Sequence, residues 1–287
     1  MLTTTELHIR DAGPDDAKAC GRIFYDAFAS IARRHAFPVE PDSPEFTAGF
    51  ANTMVSLDGI VCVVAERDGR IIGSAFADTR GAIAGIGPVT VDPAEQDAGT
   101  GRRLMAALLD RTRRAAGVRL VQTAYHARSL ALYAKLGFAV REPLSVLQGP
   151  PLKRSTPGLG VRLARPDDLA ACDALCRRVH GHDRSSELQG AIAAGTARIV
   201  ERPDRLTGYA TGFGYGWHAV AEANEDLRAL IASADAFVGL GILVPSRNTN
   251  LLRWCLADGL RLVQQSTLMT VGLYNEPQGA WLPSIVY

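Results

Sequence analysis

The stretch Val89–Arg103, VTVDPAEQDAGTGRR, constrains the fold of this chain more than any other. A β-prone run stops at Pro93, and the loop Gln96-Asp97-Ala98-Gly99-Thr100-Gly101 then opens an amphipathic helix. A strand, a glycine-bearing turn and a helix in that order point to an α/β architecture. Small residues at a helix start let backbone N–H groups crowd around an anion. The first four donors of the helix lack intrahelical partners and stand at the positive end of its dipole. A phosphate-bearing ligand is therefore expected on Gln96, Asp97, Ala98, Gly99, Thr100 and Gly101, with Arg102 beside the loop to meet a phosphate oxygen.

Glycine spacing narrows the ligand. A P-loop requires Gly-x-x-x-x-Gly-Lys-Ser/Thr, which the chain lacks. A dinucleotide fingerprint requires a third small residue where Leu104 stands, and an acidic residue near Arg119 or Gln122. These absences weigh against a nucleotide-dependent oxidoreductase. The remaining pattern, Gln-x-x-Gly-x-Gly after a strand, resembles the pyrophosphate loop of the GNAT superfamily of N-acetyltransferases. A second motif starts 25 positions beyond Gly101, where His126–Phe138 read HARSLALYAKLGF. The family's equivalent is roughly Asn-x-x-Ala-x-x-Leu-Tyr-x-Lys-Leu-Gly-Phe. Leu132, Tyr133, Lys135, Leu136, Gly137 and Phe138 match in place. Ser129 replaces the usual Ala and His126 the usual Asn, which alters any contact the Asn side chain would make with a pantetheine arm.

The resemblance implies acetyl-CoA as acyl donor, inserted where the strands Ala82–Val91 and Val118–Ala124 splay apart. Backbone groups of Val89, Thr90 and Val91 would pair with the pantetheine amides, as a missing strand would. The acceptor, a small-molecule or peptide amine, would attack directly, and Tyr133 would protonate the leaving thiolate. A phenol of pKa ~10 can do so without a large thermodynamic penalty. The central strand AIAGIGPVTVD has no carboxylate before Asp92, and Asp92 precedes Pro93 as a turn former does. His126, His35, Glu40 and the C-terminal carboxylate of Tyr287 are the other candidate bases, and a histidine titrates usefully near neutrality.

A chain of 287 residues calls for two domains, and a repeat supplies them. Ile9–Cys20, IRDAGPDDAKAC, returns 152 positions later as Val161–Cys172, VRLARPDDLAAC. His126–Val140 returns 122 positions later as Asn248–Leu262. The expected architecture is α/β (α+β): two tandem GNAT-like domains, each a mixed, mostly antiparallel twisted sheet flanked by helices. Their expected bounds are 1–148 and 161–287, joined by the Pro- and Gly-rich linker 149–160. The second copy replaces the phosphate loop with Glu222-Ala-Asn-Glu-Asp-Leu-Arg and Tyr133 with Cys255, so it is expected to hold no acyl-CoA. In Gly212–Glu222, strand alternation would put Phe213, Tyr215 and Trp217 on one face. The glycines, His218 and Glu222 would then take the other, where they could border the acceptor.

A net charge of +1 argues against a nucleic-acid or membrane-surface role. The five cysteines have no metal-site spacing, and no metal is expected. No apolar run reaches ~18 residues, and MLTTTELHIRD is not a secretory signal, so a cytoplasmic protein is expected, as monomer or homodimer. The functional expectation is an acetyl-CoA-dependent N-acetyltransferase with one site in the first domain. The alternatives are a non-catalytic acyl-CoA sensor and a mycothiol-synthase-like acetylation of a thiol-precursor amine.

Overall fold

The computed structural model describes residues 6–286. Strand β1 (His8–Asp11) passes through a 3-10 turn, Pro14–Asp16, into α1 (Ala17–Arg34). Asp16 accepts from the backbone N–H of Gly13 at 2.8 Å and receives both terminal nitrogens of Arg10, at 2.7 and 3.0 Å. Arg10 also donates from Nε to Glu66 at 2.8 Å, which ties the turn to the next strand. Helix α2 (Pro44–Ser56) starts at Ser43, whose hydroxyl accepts from the N–H of Phe46, an N-cap with proline in the first turn. α1 and α2 touch at Gly21, where a Cβ would come within 2.6 Å of the Ala48 Cα.

β2 (Ile60–Arg67) and β3 (Arg70–Asp78) form a hairpin around Asp68-Gly69, both residues having positive φ. β4 (Ile83–Val91), α3 (Thr100–Arg111), β5 (Gly117–Thr123) and α4 (Ala127–Lys135) follow. The first sheet runs β1-β2-β3-β4-β5, antiparallel except for the parallel β4–β5 pair. Side-chain alternation sorts its faces. Cys62, Val64 and Phe76 pack with α1 and α2, while Gly73 lies against Leu104 of α3 on the other face. α3 ends at Arg111. The hydroxyl of Thr112 bonds to the Leu108 carbonyl, and a turn closes from the Ala115 N–H to the Thr112 carbonyl.

β6 (Ala139–Gln148) comes next, then β7 (Gly160–Leu163), α5 (Leu169–His180), α6 (Ser185–Ala193), β8 (Arg198–Arg202) and β9 (Arg205–Ala210). After them come β10 (Ala219–Ala221), α7 (Asn224–Ala232), β11 (Ile242–Pro245), α8 (Thr249–Ala257), β12 (Arg261–Gly272) and β13 (Ala280–Leu282). An antiparallel sheet runs β13-β10-β9-β8-β7. Ile199, Tyr209 and Val220 pack against α5 and α6 on one face. Val200, Ala210 and Ala221 pack with α7 and α8 on the other. The Arg–Asp–Glu lattice of the first copy recurs: Arg162 forks onto Asp168 at 2.8 and 2.8 Å and donates to Glu201 at 3.0 Å. Asp168 accepts from the Arg165 N–H at 2.7 Å, as Asp16 does from Gly13.

The chain forms two compact units. The first takes residues up to Leu120 and Tyr125–Phe138, the second Val121–Ala124 and Ala139–Ile285. The bounds read from sequence placed 139–148 in the first domain. In the structure β6 is hydrogen-bonded along its length to β12, from Arg261↔Gln148 to Thr270↔Ala139, and to β11 on its other edge. The expected strand over Gly212–Glu222 shrinks to Ala219–Ala221. The Trp217 indole folds back over Gly212 and Gly214, within 3.0 Å of where their Cβ atoms would stand. The glycine face thus makes room for Trp217 and not for an acceptor.

Candidate active site

The site starts from a break in the sheet. β4 pairs with β5 only at Ile83↔Gly117, Ala84↔Val118 and Gly85↔Arg119. Its register with β3 passes from Ala77↔Ile86 to Ala75↔Val89, so Gly87 and Pro88 together face Phe76. Such a β-bulge bends its strand. Gly87 takes a φ of 154° and Pro88 has no N–H to offer. Beyond Gly85, Val89, Thr90 and Val91 are therefore paired with β3 alone, leaving one strand edge for another partner. The Thr90 side chain is buried and bonds to the Ser74 hydroxyl at 3.1 Å, so its backbone is the part left for a ligand.

The loop after β4 is built to present N–H groups. Asp92 is the turn former its sequence context predicts: its carboxylate caps the Ala94 N–H at 3.0 Å. Glu95 is held by Arg67 and Arg70, and the Gln96 amide donates to the Val91 carbonyl at 3.2 Å. Asp97 and Gly99 both have positive φ, 70° and 80°, turning the chain into α3. The first intrahelical bond is from the Arg103 N–H to the Gly99 carbonyl, so the N–H groups of Thr100, Gly101 and Arg102 precede the ladder. No atom lies within 4 Å of a Cβ position at Gly99, and Ala98 and Arg102 are exposed. The Thr100 hydroxyl is buried without a hydrogen-bond partner. An open cradle, free donors and an orphaned hydroxyl suit a diphosphate.

Helix α4 meets this loop. Gly101 lies 3.7 Å, measured from its Cβ position, from Leu132 and 3.8 Å from Val91, so the end of β4, the start of α3 and α4 converge on one residue. Arg128 forms an ion pair with Asp97, a contact the sequence motif did not flag. Tyr133 is half-buried beside Phe138, with ring centroids 6.0 Å apart and no hydrogen bond to its hydroxyl among the described residues. Burial pushes its phenol up to about 12. His126 sits at the N-cap of α4, seven residues before Tyr133 and so on the same stripe, about 10 Å away. Desolvation and then the charges of Arg128, His35 and Arg34 lower its pKa, keeping the imidazole neutral at pH 7. His35, exposed at the end of α1, has its ring 5.3 Å from Tyr125, and Phe37 stacks on Tyr125 at 4.1 Å. Glu40 is half-buried with a raised pKa, from desolvation and from Asp42. Tyr287 lies outside the described residues.

In the second unit the matching positions are filled. Asn224, which starts α7, and Asn248, which caps α8, exchange two amide hydrogen bonds at 2.8 and 3.0 Å. Asp226 is fully buried, accepting from the Thr207 hydroxyl at 2.8 Å and meeting Arg202 at 3.0 Å. Cys255, aligned with Tyr133, is fully buried. His218 and Glu222, suggested as acceptor contacts, are engaged elsewhere. His218 is buried against Tyr209 at 3.1 Å and Glu187 at 3.3 Å, and Glu222 pairs with Arg178 and Arg205. All five cysteines are buried and unbridged. Among the described residues no helix is long and apolar enough to cross a membrane.

Residues 58–140 match the family model of the acetyltransferase (GNAT) domain. No curated protein matches the chain in sequence. Among solved structures, a protein of Pyrococcus horikoshii assigned to the acetyltransferases superposes with a TM-score of 0.73 at 21% identity, over 98% of this chain and 96% of that one. A GCN5-related N-acetyltransferase of Sphaerobacter thermophilus gives 0.63 at 17% identity, over 94% and 96%. A tandem GNAT protein from the clavulanic acid biosynthesis pathway gives 0.55 at 12% identity, over 93% and 98%. Mixed α/β units with mostly antiparallel sheets and these likenesses agree: the chain has the fold of tandem GNAT proteins, and residues 58–140 match the GNAT acetyltransferase domain model.

Proposed function

We propose that the first unit is an acetyl-CoA-dependent amine N-acetyltransferase and that the second holds no acyl-CoA. The convergence of β4, the Gln96–Arg102 loop and α4 on Gly101 carries this reading. The loop donors and Arg102 take the diphosphate. The free edge at Val89–Val91 takes the pantetheine, and an N–H there polarises the thioester carbonyl as charge builds on its oxygen. The acceptor nitrogen attacks that carbonyl; the C–N bond forms and the C–S bond breaks. Tyr133 gives its proton to the departing sulfur. His126, neutral at pH 7, takes the proton the amine nitrogen loses, which answers the missing carboxylate in β4.

The occupied positions of the second unit support a single site: Asn224 and Asn248 close on each other where the first unit leaves N–H groups free. Titration calorimetry with acetyl-CoA tests both parts. One equivalent bound by the parent, and lost when Gly99 and Gly101 are replaced by bulky residues, is the expected result. Two equivalents would refute the closed second site, and no binding would refute the transferase. Binding without turnover on any amine, unaltered by Tyr133→Phe, would favour an acyl-CoA sensor.

A further inference from the structure

One face of α1 joins the β4 bulge to the start of α4. Phe24, Phe28, Ile31 and His35 lie at helical spacing on one stripe. At one end Phe24 meets Phe50 at 5.6 Å, and Phe50 meets Phe76, the residue opposite the bulge, at 6.1 Å. At the other, His35 faces Tyr125, the neighbour of His126. Between the ends stand Phe28, 5.1 Å from Phe24, and Ile31, both only half-buried. The stripe is thus an apolar wall with ring-sized groups, running from the strand opposite the β4 bulge to Tyr125, next to His126.

The charged groups that act on His126 at this far end are all cationic. Arg33 and Arg34 close α1 and make no ion pair or side-chain hydrogen bond among the described residues. Arg34, His35 and Arg128 all act on His126, and of these only Arg128 has a carboxylate partner, Asp97. A polyamine or aminoglycoside would meet like charge here, whereas a carboxylate would meet Arg34. Resting on the transferase reading, we propose that the acceptor is a free α-amino acid with a large apolar or aromatic side chain. Its side chain lies along Phe28 and Ile31, and its carboxylate pairs with Arg34.

Thiol release with saturating acetyl-CoA tests this on L-phenylalanine, phenethylamine, glycine and spermidine. L-Phenylalanine should exceed phenethylamine, which lacks the carboxylate, and glycine, which lacks the side chain, by at least about tenfold in kcat/KM. Arg34→Ala, at an exposed position, should raise KM for L-phenylalanine roughly tenfold and leave KM for phenethylamine where it was. Phe28→Ala should raise KM, and Phe28→Leu should restore part of it. Equal use of phenethylamine, preference for spermidine or glycine, or no effect of Arg34→Ala would overturn the proposal. If acetyl-CoA fails to bind, the transferase reading falls first. Saturation-transfer NMR with L-phenylalanine then decides the pocket: binding lost in Arg34→Ala sustains it, and no binding overturns it.

Discussion

Two glycines two positions apart should respond to the same substitution with opposite sign. Gly99 caps α3 at φ 80°, and the space around its Cβ position is empty. Gly99→Ala therefore carries a purely conformational penalty, roughly 1–2 kcal/mol for an L-residue in the left-handed region. Reduced freedom of the unfolded chain returns about 0.4–1 kcal/mol, for a net loss of ~1 kcal/mol. Gly101 has ordinary helical φ, and its added methyl would touch Leu132 and Val91 at 3.7 and 3.8 Å, normal packing distances. Gly101→Ala should gain about 0.5–1 kcal/mol from helix propensity. For a protein of this size the melting temperature should fall by about 2–4 °C in one variant and rise by a similar or smaller amount in the other. If free Gly99→Ala relaxes out of the left-handed geometry that the anion cradle needs, restoring it on binding costs the same ~1 kcal/mol and weakens acetyl-CoA about fivefold. Scanning calorimetry and titration on the two proteins read both effects. Shifts of one sign, or an unmoved Gly99→Ala, would refute the assignment of strain to the cap.

Tyr133→Phe should lower kcat by about 10²–10⁴ with acetyl-CoA affinity unchanged, measured by steady-state rates and calorimetry; a smaller loss would remove Tyr133 as the acid. Because His126 titrates below its ordinary value of 6.5, the acidic limb of the kcat profile should lie below that pH and vanish in His126→Gln; a limb that persists would exclude it as the base. In the second unit, burial holds His218 at about 4 against an ordinary 6.5, so between those values the unfolded chain binds a proton that the native chain does not. Stability should then fall by up to ~3 kcal/mol as pH drops through that window, read as the urea midpoint. Glu187, lowered by Arg184 and His218 against its own desolvation, adds a loss of the same sign below its ordinary 4.5. A flat midpoint from pH 7 to 4 would refute the buried network. Glu187→Gln removes the charge of the carboxylate onto which buried Arg184 forks and should destabilise by about 1–3 kcal/mol in chemical denaturation.

Short-range signals carried well from sequence to structure. The two Pro-Asp-Asp segments give matching turns, and an amphipathic helix opens at the glycine loop as the sequence predicts. The loop at Gln96–Arg102 was legible because its glycines have a conformational reason. What depends on distant partners was not. The alternation of β4 gives no hint of the bulge at Gly87–Pro88, which leaves Val89–Val91 with a free edge. Trp217 cancels the strand pattern of its segment by packing on glycines in a way alternation cannot foresee. The pair Arg128–Asp97, and the stripe from Phe24 to His35, emerge only when helices and loops are placed together.

Strand β6 follows the first copy's motifs in sequence but takes β11 and β12 as neighbours. A stop codon in 149–160 would therefore leave Ala139–Gln148 with both edges bare, a ten-residue template for association with other chains. A ribosome that has finished the first copy has not yet made the neighbours of its last strand, so that strand must wait for roughly a hundred further residues. Splitting the gene between the repeats would separate a strand from its sheet, which keeps the two copies on one polypeptide even where only one of them binds a ligand.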